Sequence, residues 1–138
     1  MKRKLYFLSL ALLALLMTGC GFLGGDTTTY TPSDLNGTWT EETNPQCYWV
    51  YTLTKDDSGE YYWGKTWDES EGYTEEDLEF HGNGWFKWSL SSNNLVQLHM
   101  MNISDAMVPK TYTVTSCTSD VLVLKDSNGR KLTYNKAK

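Results

Sequence analysis

The sequence contains few of the residues that catalytic and metal sites require. Only two of its 138 residues are histidines, His81 and His99, and neither has a cysteine or an acidic residue at metal-ligand spacing. We interpret both as solvated, one in a turn and one on a strand surface. The sequence has no phosphate-binding loop, no dinucleotide fingerprint and no serine marked as a nucleophile. These absences predict a protein that is not an enzyme and that needs no cofactor or metal.

Long apolar segments are also lacking, apart from one near the N-terminus. The residues from Leu5 to Met17 are almost all apolar. About thirteen residues are too few for a helix that crosses ~30 Å of hydrocarbon. Lys2, Arg3 and Lys4 precede this segment, and the small residues Thr18 and Gly19 follow it. A charged, an apolar and a small-residue region in this order are typical of a secretory signal.

The end of this segment resembles a bacterial lipoprotein signal. Leu16 and Met17 take the bulky apolar positions of the signal, Thr18 and Gly19 take the small positions, and Cys20 follows. The resemblance implies that the mature protein begins at Cys20 and carries acyl chains there, palmitate among them. It places the protein in the bacterial cell envelope, at the outer rather than the inner membrane, with its domain outside the cytoplasm. A plain secreted protein or a single N-terminal membrane anchor is the alternative.

The chain then divides into three parts. We assign residues 1–19 to the signal, residues 20–31 to a lipidated flexible tether and residues 32–138 to the folded domain. The tether contains Gly24, Gly25 and three consecutive threonines, a composition that favours flexibility. The remaining length of roughly 105 residues is enough for one small hydrophobic core and leaves no room for a second domain.

Basic residues are scarce once the signal is removed. Residues 1–19 contain three of the 12 lysines and arginines and none of the 17 acidic residues, so the mature chain has a net charge of −8. Phosphate backbones repel such a chain, and no basic stripe offsets that repulsion. We therefore exclude nucleic acid as a partner. We expect the acyl chains, rather than surface charge, to hold the protein on its membrane.

The folded domain has the pattern of β-structure throughout. Short segments rich in valine, threonine and aromatic residues alternate with turns of Asn, Asp, Ser and Gly. Such strands pair antiparallel with their neighbours, and a large sheet of them closes rather than leaving free edges. A closed antiparallel barrel needs an even strand number, so one candidate must be excluded, and Asp77 to His81 is the weakest. We predict an all-β, up-and-down barrel of about eight strands with little helix. The nine candidate strands are Thr38 to Glu42, Cys47 to Thr54, Glu60 to Trp67, Asp77 to His81, Trp85 to Leu90, Leu95 to Met101, Thr111 to Cys117, Asp120 to Lys125 and Arg130 to Tyr134.

Two parts of the domain resemble the lipocalin superfamily and its small bacterial lipoprotein members. Gly37-Thr38-Trp39 is similar to the Gly-x-Trp entry of that superfamily. The segments Tyr112 to Val114, Val121 to Leu124 and Leu132 to Tyr134 are similar to the last strands of the small lipoprotein domains. The resemblance implies a lipocalin-like barrel in which Trp39 plugs one end beneath a basic residue. Arg130 is the residue we assign to that position, with Lys131 as the alternative.

An acidic segment from Asp68 to Glu79 is the sharpest local feature of the domain. Dense carboxylates attract hard cations, so calcium is the functional interpretation. An EF-hand loop counted from Asp68 places Glu79 at position 12 but Gly72 at position 5 instead of 6, so the pattern fails. We therefore interpret the segment as a solvated loop, and calcium binding stays open.

Aromatic residues are abundant, and all six tryptophans lie in the mature domain. Alternation places Trp49 with Tyr51, Phe86 with Trp88, and Val96 with Leu98 and Met100, each set on one strand face. A small barrel needs large side chains inside, so most of these are expected in the core. We predict that a ligand-binding wall includes some of them: Trp49, Tyr51, Trp63, Phe86 and Trp88.

Three functions compete on this basis. The first is a non-catalytic binding module for a small apolar ligand or lipid held inside the barrel. The second is a surface interaction protein, such as a protease inhibitor or a partner of another envelope protein. The third is a carbohydrate-binding accessory lipoprotein. A ligand cavity would favour the first, a filled barrel with a protruding loop the second, and a flat row of exposed aromatic rings the third.

The remaining thiols, Cys47 and Cys117, form an even pair in an exported chain, which invites a disulfide. Cys47 begins one candidate strand and Cys117 ends another. If Asp77 to His81 is a strand, six strands run from Cys47 to Cys117 in a meander, and the two cysteines lie at the same barrel end but several strands apart. If it is not a strand, the count is five, and they lie at opposite ends, beyond the reach of a disulfide. We predict no disulfide, and we expect Cys117 to be a buried core residue.

Overall fold

The computed structural model describes residues 27–68, 72, 74, 76, 84–101 and 104–138. A short helix, α1, is followed by eight strands in which each pairs antiparallel with the next, and β8 returns to pair with β1. The described residues thus form a closed antiparallel barrel with almost no helix, which confirms the predicted fold class. The elements are α1 (Pro32–Leu35), β1 (Gly37–Glu41), β2 (Cys47–Lys55), β3 (Tyr62–Asp68), β4 (Trp85–Ser91), β5 (Asn94–Met101), β6 (Ser104–Cys117), β7 (Val121–Asp126) and β8 (Lys131–Lys136).

The longest strand differs from its prediction. β6 begins at Ser104, seven residues before the predicted Thr111, and its first part pairs with β5 beyond the point where β7 ends. The amide of Val114 donates to Asn93 on the β5 side, so strand alternation turns the nitrogen of Pro109 toward the unpaired edge. Proline is tolerated there because no ladder hydrogen bond is lost. The candidate strand from Asp77 to His81 lies outside the described residues.

The two ends of the barrel differ. We call the end that carries α1 and the β2–β3, β4–β5 and β6–β7 turns the closed end, and the other the open end. Thr31 begins α1, and its amide and hydroxyl both donate to the Asp34 carboxylate, at 2.7 and 2.8 Å. These bonds lower the pKa of Asp34. Leu35, at the end of α1, is completely buried against the core and closes this end.

The core is one cluster that fills the interior. Aliphatic side chains pack with large aromatic ones, and the only deeply buried polar side chain among them is Gln97, within the described residues. None of the buried polar side-chain atoms in this part of the chain lacks a hydrogen-bond partner. The interior is therefore filled by packed side chains, while strand pairing closes the sheet around them. The cluster comprises Leu35, Trp39, Tyr51, Phe86, Trp88, Leu95, Val114, Leu122, Leu124 and Tyr134.

Candidate functional site

Four of the five residues predicted to bind a ligand meet inside the barrel. Tyr51, Phe86 and Trp88 are buried, and Trp49 is half-buried above them. Trp63 does not join them. It pairs with Lys87 next to the inward-facing Gly64, so alternation along β3 turns its indole outward. Its predicted place in the ligand wall is therefore corrected to the outer surface.

Trp49 lies at the centre of an aromatic cluster toward the open end. Its ring centroid is 6.4 Å from Tyr51, 6.0 Å from Phe86 and 5.6 Å from Tyr134. His99 and Tyr112 each lie 5.8 Å from it in edge-on contact. These rings occupy the space that a ligand would take in a hollow barrel of this size. A ligand could enter this half of the interior only if Trp49 moved.

A chain of polar contacts crosses the same interior. Gln97 Nε2 donates to the Tyr51 hydroxyl at 2.6 Å, and Gln97 Oε1 lies 2.7 Å from His99 Nε2. Burial lowers the pKa of His99 to about 4, with a smaller contribution from Lys110. Burial also raises the pKa of Tyr51. Both groups are therefore neutral at neutral pH, and the chain orients rings rather than carrying charge.

This interior position corrects the prediction for His99. Val96, Leu98 and Met100 were expected to share a buried face, with His99 on the solvent side. The structure has the opposite arrangement, because Leu95 and Gln97 are fully buried and the intervening residues face outward. Gln97 and His99 thus occupy interior positions that were expected for apolar residues, and Val96, Leu98 and Met100 lie on the outside of β5.

The plug at the closed end uses a different cation from the one predicted. Trp39 is fully buried and donates through Nε1 to the Leu35 carbonyl at 2.8 Å. The basic group over its ring is Lys136, whose Nζ is 4.3 Å from the ring centroid, and not Arg130. Trp39 and Lys136 are register partners in the β1–β8 ladder, whereas Arg130 lies before β8 at the open end. Gly37 has a φ of +131°, and a Cβ there would collide with the Lys136 ammonium group.

The outer surface of the barrel is divided into two unlike halves. Across β1 and β8 the outward positions are mainly threonine, lysine and asparagine, with Thr40 and Asn135 as examples, and on β7 they are Val121, Val123 and Lys125. Across β2 to β5 they are mainly aromatic and aliphatic. We call this second half the apolar outer face and define it as Tyr48, Trp63, Trp67, Trp85, Val96, Leu98 and Met100. Trp85 is 36% exposed, and the other six are partly exposed.

Rings and lysines alternate across the apolar outer face. Tyr48 and Trp67 meet edge to face with centroids 5.0 Å apart. Lys65 Nζ lies 5.7 Å from the Trp85 ring, and Lys87 Nζ lies 5.1 Å from the Trp63 ring. In contacts of this kind the ammonium group lies over the face of the ring. Lys87 and Lys65 therefore cover part of the ring faces of Trp63 and Trp85, which are not open stacking platforms.

One cationic group of this face, the ammonium of Lys87, is tied to the closed end. Lys87 Nζ forms an ion pair with Asp56 at 2.9 Å, and the Ser58 hydroxyl donates to the other carboxylate oxygen at 2.7 Å. Together these contacts lower the pKa of Asp56 to about 2, with the Lys87 hydrogen bond as the largest cause. Asp56 also accepts the Gly59 amide, so one carboxylate orders the β2–β3 turn and holds Lys87 in place.

The remaining predicted features concern the cysteines, His81 and the acidic segment. Cys20, His81 and most of the acidic segment lie outside the described residues, and no group of three potential metal ligands occurs within the described part. Neither Cys47 nor Cys117, both within the described residues, forms a disulfide, in agreement with the prediction. Cys117 is half-buried rather than buried, because it ends β6 at the closed end, where its thiol donates to the Asp34 carbonyl at 3.3 Å. Burial raises its pKa.

Sequence reasoning missed Gln97, Tyr112, Tyr134 and Lys136 as parts of the interior and the plug. A signal for Gln97 exists in the sequence, because the tight Ser92-Asn93 turn fixes its register opposite Trp88.

No described helix has the length and apolar character needed to span a bilayer. Comparisons of the chain with protein-family models, with curated proteins and with solved structures find no match.

Proposed function

We propose that this chain is a lipid-anchored lipoprotein of the bacterial cell envelope whose barrel is a lipocalin-like, non-catalytic binding module. The closed eight-stranded barrel supports this proposal, as does the buried Trp39 beneath Lys136 after a short helical entry. The acyl anchor at Cys20 rests on the lipoprotein-like signal in the sequence. The proposal assigns no catalytic role to any side chain.

The binding surface that the geometry favours is the apolar outer face, and its occupant is another envelope protein. The observation that carries this choice is the inverted alternation of β5, which turns Val96, Leu98 and Met100 outward while Gln97 is buried. Together with the rings of β2 to β4, these side chains form a contiguous and partly exposed apolar surface, and such a surface marks an interaction site. Aromatic residues and methionine are enriched at protein interfaces and carboxylates are depleted there, as on this face.

The arrangement of the rings separates a protein partner from a carbohydrate. Sugars stack on rings that lie open and flat, whereas the Trp63 and Trp85 indoles lie beside Lys87 and Lys65. Leu98 and Lys87 are direct partners across β4 and β5. The aromatic part of the apolar outer face, on β2 to β4, is therefore continuous with its aliphatic part on β5. Side chains of a protein partner can pack against such a mixed aromatic and aliphatic surface. A central tryptophan that becomes buried in an interface commonly contributes about 2 kcal/mol or more to the binding free energy.

Site-specific photocrosslinking in intact envelopes tests this proposal. A photoreactive residue at Leu98 is expected to give a discrete crosslinked protein, identified by mass spectrometry. The same residue at Lys125, on the polar half of the barrel, is the matched control and is expected to give none. A Trp85→Glu substitution should abolish the Leu98 crosslink while the barrel still folds. Crosslinks only to glycan or lipid, or equal protein crosslinks from both positions, would show that this face does not bind a protein partner.

A small apolar ligand is the second candidate, and the aromatic cluster around Trp49 favours it. Trp49 is half-buried at the open end and is surrounded by five rings, so its displacement would expose an aromatic pocket. Native mass spectrometry of the purified lipoprotein should then show a co-purified mass that a Trp49→Arg variant loses. A Trp85→Glu variant, altered only on the outer face, should retain that mass. An empty protein in every preparation would exclude this second candidate.

A further inference from the structure

The chain that leads into the barrel is fixed at the closed end by one side chain. Asn93 Oδ1 accepts the Tyr30 amide at 2.7 Å, and Asn93 Nδ2 donates to the Thr28 carbonyl at 2.6 Å. Asn93 is 7% exposed, so these bonds form in a largely buried setting. The Tyr30 side chain also packs against the core. We call these contacts the tether clamp.

The turn that carries Asn93 suits this role. Ser92 and Asn93 have φ values of 48° and 64°, which is the backbone of a tight two-residue hairpin turn. Asparagine tolerates this conformation, and its amide offers one donor and one acceptor to a passing strand. Beside it lies an open surface groove of about 400 Å³, whose lining includes Thr27, Thr28 and the outward threonines of β6. The incoming segment therefore lies along the closed end and not across the open one.

We propose that the barrel stands on the membrane with its closed end toward the bilayer and its open end projecting away. This orientation rests on the proposed acylation of Cys20. Thr28 lies only eight positions after Cys20 along the chain. A flexible chain of that length has a mean reach of roughly 16 Å, and its full extension is about 28 Å. The clamp therefore holds the closed end near the lipid headgroups.

The distribution of acidic residues supports the same orientation. The acidic segment begins at Asp68, which ends β3 at the open end, and the chain re-enters the barrel at the same end through β4. Glu41 and Glu42 also lie at the open end. Anionic headgroups repel these carboxylates within a Debye length of about 8 Å. Arg130 and Lys131 offset part of this charge at the open end, and at the closed end Lys55 and Lys136 accompany Asp57, Glu60 and Asp120.

The orientation determines where a partner can approach. A barrel strand of about eight residues, tilted by about 40°, spans roughly 20 Å along the barrel axis. With the closed end at the membrane, the apolar outer face stands along the membrane normal and faces sideways. A partner bound there is therefore a neighbour in the same envelope layer, and the acidic open end stays available to the solvent beyond.

Distance-dependent quenching on the acylated full-length lipoprotein tests the orientation. Single cysteines are introduced as Ser119→Cys in the β6–β7 turn and Ser127→Cys in the β7–β8 turn, both exposed, in a background that carries Cys47→Ser and Cys117→Ser. Each is labelled with a fluorophore, and the protein is placed in vesicles of phosphatidylethanolamine and phosphatidylglycerol that carry a headgroup quencher. We expect the closed-end label at position 119 to be quenched several-fold more strongly than the open-end label at position 127.

An Asn93→Gly variant provides the matched control. Glycine keeps the positive-φ turn but removes both clamp bonds, so the difference between the two labels should shrink while the barrel stays folded. Mass spectrometry for acyl chains on Cys20, with vesicle flotation, separates the two levels of the proposal. An unacylated chain that does not float would overturn the anchor and the orientation together. An acylated, floating chain with equal or reversed quenching would leave the anchor intact and refute the orientation.

Discussion

Acidification should destabilise the barrel through His99, in a pH range where few other groups titrate. The folded structure lowers the pKa of this imidazole from 6.5 to about 4, so the folded state favours the neutral ring. The free energy of unfolding is then fully retained above pH 6.5. As the pH falls, the unfolded chain binds the proton first, and stability is lost between about pH 6.5 and pH 4.

The size of this effect follows from the shift. At about 1.4 kcal/mol per pKa unit, the shift corresponds to about 3 kcal/mol, and allowance for the exposed part of the ring reduces this to about 2 kcal/mol. Urea unfolding followed by tryptophan fluorescence, in pH steps from above 6.5 to just above 4, measures it. Asp56 does not interfere, because its pKa of about 2 means that its contribution is lost only as the pH falls below 3.8.

A His99→Gln variant is the control, because glutamine keeps a hydrogen-bonding partner for Gln97 without a group that titrates in this range. Its stability should fall less than that of the wild type over the same pH range, by about 2 kcal/mol. If both proteins lose stability equally, the decline comes from other residues, and the interior position of the neutral His99 is not responsible.

Three further outcomes follow from the closed end and the core. Gly37→Ala should cost about 1–3 kcal/mol in urea unfolding, because it combines a positive φ with a clash, and a smaller cost would contradict the assigned backbone. Tyr51→Phe leaves the buried Gln97 Nε2 without its acceptor and should cost about 1–3 kcal/mol, whereas an unchanged midpoint would mean that another acceptor is available. Labelling of the denatured, unreduced barrel should find both Cys47 and Cys117 free. In the native state Cys117 should react first, and protection of both thiols after denaturation would reveal a disulfide.

The barrel was predictable because its local signals agree. β-branched and aromatic segments, separated by positive-φ turns, specify short antiparallel strands with few alternatives. Closure follows because a sheet of eight such strands would otherwise have two free edges. The strand count of eight also follows from parity, once the segment from Asp77 to His81 is set aside.

The content of the two faces was harder to predict, and β5 shows why. The alternation of apolar residues predicts that Val96 and Leu98 face inward, but the two-residue turn aligns Trp88 with Gln97. Directly opposed residues of an antiparallel pair share a face, so the inward Trp88 carries Gln97 inward with it. The register fixed by the turn, and not hydrophobicity, therefore determined which residues of β5 face inward. Lys136 escaped prediction for another reason, since its partner Trp39 is distant in sequence and no local pattern links them.

The pairing of β1 with β8 has a consequence for the order in which the molecule can be made. Most neighbouring strands are joined by short turns, but this ladder joins residues near position 39 to residues near position 136. Closing a loop of that length costs about 4 kcal/mol in chain entropy beyond a constant term. Synthesis from the N-terminus delivers β1 long before β8. β1 therefore stays without its β8 partner until the residues near position 136 have been made, and the closure of the barrel comes after the pairing of the other strands.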